Sequence, residues 1–110
     1  DRAAAALGLS ASMRYDASLG QLSGRLQGVQ AQGAVVVQLI HPTVPAKDIR
    51  RAVATDASGC FSLPLPLLDR AHWQVQIEDA AGEWRVHGEW HWPEQKNVDI
   101  QPMADMGKGA

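Results

Sequence analysis

Residues 82–92 read GEWRVHGEWHW, and this run constrains the fold more than any other part of the chain. Trp84, Val86, Trp90 and Trp92 fall on alternate positions, with Arg85, His87, Glu89 and His91 between them. In an extended strand, alternate side chains point to opposite faces. The run therefore predicts one aromatic face over a core and one charged face in water. Trp73 sits in the preceding run, where Trp73, Val75 and Ile77 alternate with Gln74 and Gln76. Between the two runs, 79–82 (DAAG) reads as a compact hairpin turn. Two adjacent strands then carry all four tryptophans.

The same period of two recurs earlier. Leu7, Leu9, Ala11, Met13 and Tyr15 alternate with small or polar residues, and Leu22, Gly24 and Leu26 continue after a turn at 16–20. Met13 belongs to the apolar face. The valine-rich run 34–40 is too short for a confident helix and reads as a buried strand. Pro42 and Pro45 exclude a central strand or helix interior across 41–48. Strands are expected at 49–55, 60–65, 72–78 and 97–100, with a turn at 56–59. Together these make about eight short strands with turn signals between them. That pattern predicts an all-β domain, a two-sheet antiparallel β-sandwich of Ig-like type, with barrel closure as the alternative. The domain is expected to span 1–101, opening on a short helical or irregular alanine-rich stretch at 1–7. Residues 102–110 show no period and are expected to be a disordered tail.

Composition narrows the function. A chain of 110 residues supports one modest core. Its net charge is −2 and Arg50-Arg51 is its one adjacent basic pair, so no positive surface for nucleic acid is expected. The single cysteine, Cys60, excludes an intrachain disulfide and is predicted to be buried beside Phe61. No stretch reaches the roughly 20 apolar residues that span a bilayer. The start, DRAAAALGL, reads as the interior of a longer polypeptide.

Catalytic signatures are absent from the sequence: no phosphate-cradling glycine loop, HExxH, GxSxG or paired-cysteine metal motif. No enzyme activity is expected. The histidines raise a metal question, because His87 and His91 share a strand face. Positions four apart on a strand lie about 13 Å apart, so both cannot hold one ion at about 2 Å. A site needs a bulge or a neighbouring strand, with His72 the candidate; otherwise this is a solvated polar face. Met103 and Met106 supply thioethers that suit Cu(I). Copper binding is thus conceivable but unsupported, and no cofactor is expected. Two surfaces are candidates for partner contact. One is His41-Pro42-Thr43, where the imidazole either orders the loop, the favoured reading, or faces a partner. The other is exposed tryptophan around Trp90 and Trp92, with Trp92 open between core and surface.

The order of LGLSASMRYD, a valine strand ending in HPT, and later WQVQIED and GEWRVHGEW resembles the soluble region of the FixH (CcoH) family. The similarity runs from about Asp1 to Trp92. The resemblance implies a small bacterial inner-membrane protein with one N-terminal transmembrane helix, absent from this chain, and a domain facing the periplasm. It implies a role in assembling the cbb(3)-type cytochrome c oxidase, with oxidase subunits or assembly factors as partners. It also implies a gene neighbourhood with a copper-transporting P-type ATPase, which makes copper delivery the alternative function. No catalytic residue carries over, and His41-Pro42-Thr43 carry over as a motif without a role. Oligomeric state is not legible.

Overall fold

Alternation decides the architecture. In the computed structural model, which describes residues 8–28 and 33–101, every run of period two becomes a strand with one face in the core. The strands are β1 (Ser10–Asp16), β2 (Gln21–Gln27), β3 (Gly33–Ile40), β4 (Ile49–Thr55), β5 (Cys60–Pro64), β6 (Ala71–Asp79), β7 (Arg85–Trp92) and β8 (Asn97–Ile100). A single 3₁₀ turn, Pro45–Lys47, interrupts the β3–β4 connection. Proline fits its first turn because the missing N–H has no helical partner there.

The strands form two four-stranded antiparallel sheets, ordered β5-β2-β1-β8 and β4-β3-β6-β7. They pack face to face as a sandwich. The first sheet contributes Met13, Leu22, Leu26, Phe61 and Ile100 to the core; the second contributes Val37, Leu39, Trp73, Ile77 and Trp90. Burying each such side chain stabilises the fold by about 1.5–3 kcal/mol before chain entropy is charged against it. The two sheets remain separately hydrogen-bonded. At one seam a lone bridge joins them, where the His87 N–H donates to the Gln101 carbonyl at 3.2 Å. At the other, the 56–59 turn carries the chain from β4 to β5. Its geometry is set by the Asp56 carboxylate, which accepts from the N–H groups of Ser58 and Cys60.

Three expectations need correction. Cys60 is exposed, because Phe61 and Leu63 take the inward positions of β5 and the period of two turns Cys60 out. Trp90 and Trp92 offer no exposed surface: they are 0% and 8% exposed. Trp92 packs edge-on against Tyr15 at 5.2 Å and lies under the Lys96 ammonium. The run 34–40 is buried on one face only, through Val35, Val37 and Leu39. The expectations for 1–7 and 102–110 lie outside the described residues.

Candidate functional site

Register places four connections at one end of the sandwich. Asp16 pairs with Gln21 and Gln21 with Pro64, which brings the β1–β2 turn (17–20) beside the β5–β6 loop (65–70). In the second sheet, Leu39 pairs with Ile49 and Ala71 with Trp92, so the β3–β4 loop (41–48) and the β7–β8 turn (93–96) emerge at the same end. The Lys47–Asp69 ion pair at 2.9 Å and the Tyr15–Trp92 ring contact help to join the halves. Gly8, where the described chain begins, lies at the opposite pole, since Ser10 pairs with Gln27 at the far end of β1.

Core aromatics fasten this pole with their polar atoms. The Tyr15 hydroxyl donates to the Leu65 carbonyl at 2.6 Å, Trp73 Nε1–H to Asp69 at 2.9 Å, and Trp90 Nε1–H to Gln95 at 2.8 Å. Each ring is buried among apolar side chains while its donor satisfies a loop carbonyl that water would otherwise have to reach. The loops are thereby fixed to the rigid core.

His41 orders the remaining loop. Its Nδ1 accepts from the N–H groups of Thr43 and Val44, and its ring packs edge-on against Trp73 at 5.1 Å. The His41 N–H donates to the Asp48 carboxylate, closing the loop at its base. Pro42 and Thr43 are exposed at its tip. In the β1–β2 turn, the Asp16 carboxylate accepts from the Ser18 hydroxyl and from the N–H groups of Ser18 and Leu19. These bonds, the Ser18 hydroxyl first, hold its carboxyl below the usual value.

Three large apolar side chains break the surface among the described residues, and all three are here: Leu19 at 71%, Leu67 at 72% and Val44 at 38% exposed. They come from three different loops. The Leu19 and Leu67 turns touch, because the Gly20 carbonyl accepts from the Leu65 N–H at 2.8 Å. Exposed apolar side chains on ordered loops at one pole make that pole the candidate contact surface. Leu19 and Leu67 could not have been singled out by pattern, since turn residues have no period to read.

The histidines are distributed differently. His72 and His91 face each other across β6 and β7, their rings stacked at 3.9 Å and 5°. His87 lies opposite Gln76, away from the pair. Burial, with the charge of Arg85 adding, pushes the His87 imidazole below its ordinary value. His87 also lines a shallow concavity of about 260 Å³ with Ile40, Gln74, Gln76 and Glu89. Among the described residues, no three His, Cys, Asp or Glu side chains are grouped to hold an ion. Met103 and Met106 lie outside the described residues.

These features define a class: an antiparallel β-sandwich with a rigid, partly apolar loop pole. Comparison with known families makes it more specific. A family model for FixH matches residues 1–91, and the chain belongs to the FixH family. The match ends inside β7, so β8, which completes the first sheet with Val98 and Ile100, lies beyond it. Searches of curated proteins and of solved structures found no match. No helix among the described residues is long and apolar enough to cross a membrane.

Proposed function

We propose that this chain is the non-enzymatic periplasmic domain of a membrane-anchored protein that aids assembly or maturation of the cbb(3)-type cytochrome c oxidase through protein–protein contacts. Family membership supports the oxidase-maturation reading. The observation that carries the contact reading is the convergence of Leu19, Val44 and Leu67 at one pole. The Leu67 loop is pinned to buried Tyr15 and Trp73, the Val44 loop is held by His41 packed on Trp73, and the Leu19 turn is held by the Asp16 carboxylate. Preorganised loops lose little entropy on docking, so more of the apolar burial remains as affinity. His41, Pro42 and Thr43 belong to this pole and form part of the proposed surface.

The polarity of the fold fits a tether. An anchor preceding β1 would attach at the pole opposite the proposed docking surface, which leaves that surface free for a partner. The proposed partner is an oxidase subunit or an assembly factor. Delivery of Cu(I) has less support, because the described histidines form a pair without a sulfur donor. Affinity capture of the full-length, membrane-anchored protein from native membranes tests the proposal. Oxidase subunits or assembly factors are the expected catch; their consistent absence removes the proposal.

A further inference from the structure

The closest approach of two ionisable rings in the molecule lies outside the loop pole, on the outer face of the second sheet. His72 and His91 are directly opposed in the β6–β7 ladder. The backbone shows which kind of pair this is. In an antiparallel ladder, a residue's N–H and C=O leave the strand on the same side. Those of His91 both engage Gln95: its N–H donates to the Gln95 side-chain oxygen at 2.7 Å, and its carbonyl accepts from the Gln95 N–H at 2.7 Å. Neither points toward His72. The pair is therefore of the non-hydrogen-bonded type, in which opposed side chains come closest.

That geometry brings the rings to 3.9 Å and nearly parallel. Glu89, two positions earlier on the same face of β7, holds its carboxylate 3.8 Å from His91 Nε2. We infer that His72 and His91 form a two-imidazole site for a divalent transition-metal ion, with the negative charge of the Glu89 carboxylate beside it. Imidazole suits Zn²⁺, Ni²⁺ and Cu²⁺. The ring lone pairs lie in parallel planes and do not converge while the rings are stacked. Rotation of each exposed ring about its Cβ–Cγ bond turns one nitrogen of each toward a point between the strands. The Gln95 clasp keeps the His91 backbone fixed while the ring turns. With two imidazoles from the protein, the ion keeps water in its remaining positions, and the site stays open.

This inference does not rest on the docking reading. It is tested by titrating the 110-residue chain with Zn²⁺ while recording histidine ring resonances. The expected result is saturation at one equivalent, with His72 and His91 signals moving together and those of His41 and His87 unmoved. Losing an outer-shell partner alone costs about 10–100-fold in metal affinity, so H72A and H91A should each weaken binding by at least about tenfold. E89Q should weaken it less. Both histidines face outward, so the amide spectra of these variants should match the parent; H72N and H91N serve where alanine perturbs the sheet. No saturable Zn²⁺ binding, or equal affinity in H72A and H91A, overturns the site.

Discussion

The hydroxyl of Tyr15 donates a 2.6 Å hydrogen bond to the carbonyl of Leu65, a residue fifty positions later in the chain. The bond joins β1 to the loop that carries Leu67, so a core side chain sets the position of a surface one. Burial, and secondarily the charge of Asp16, raises the Tyr15 hydroxyl above its ordinary value of 10.0.

Replacing Tyr15 by Phe removes this donor and leaves the loop carbonyl without it. The expected loss is about 1 kcal/mol, read as a lower urea midpoint at neutral pH. A pH arm separates the hydroxyl from simple packing. The folded-state value lies above the unfolded one, so the Tyr15 contribution is fully present below about pH 10 and is lost as pH rises through the folded value. Tyr15→Phe should therefore lose less stability than the parent on going to alkaline pH.

Gly24 fills an inward position of β2, between Leu22 and Leu26. A Cβ there would lie 2.6 Å from Phe61 Cζ, 2.7 Å from the Ser12 carbonyl oxygen and 2.9 Å from Met13 Cγ. The carbonyl belongs to the neighbouring strand and cannot swing aside as a side chain can. Gly24→Ala should destabilise by about 1–3 kcal/mol through overpacking. Adding Phe61→Leu should recover only part of the loss, since the Ser12 contact stays. Chemical denaturation of the single and double variants measures both effects.

Cys60 faces outward at the start of β5. The native protein should react with one equivalent of a small aromatic disulfide reagent without denaturant. Reaction only after unfolding would contradict the side of the strand assigned to it.

The period of two made most of this fold legible. It located the strands of Trp73 and Trp90, the apolar side of β1 and even the four residues of β8. Where it misled, the reason is local. Cys60 stands in an apolar run that suggests burial, but alternation gives the inward place to Phe61 and turns Cys60 out. Trp92 stays open between core and surface in the sequence because Pro93 ends its strand; Tyr15, from a distant part of the chain, and nearby Lys96 close over it. The histidine pair depends on hairpin register. A turn confined to 79–82 sets residue 72 opposite 89. The Asp79 carboxylate instead accepts from the N–H groups of Glu83 and Trp84, which moves the turn by one residue and sets His72 opposite His91. The loop pole was the least legible part. Leu19 and Leu67 are separated in sequence, and the turns that carry them meet only through the pairing of β1, β2 and β5.

The central claim is that this pole is where another protein binds. Substituting Leu19 and Leu67 together by Asp in the full-length, membrane-anchored protein tests it most directly. Both side chains are exposed, so the thermal midpoint should stay close to the parent's. Each leucine buried on docking is worth about 1.5–3 kcal/mol, roughly ten- to hundredfold in affinity. Recovery of oxidase subunits or assembly factors by the doubly substituted protein should fall by at least that much for one side chain. Undiminished recovery, with loss instead on altering the 56–59 turn at the opposite pole, would contradict the account.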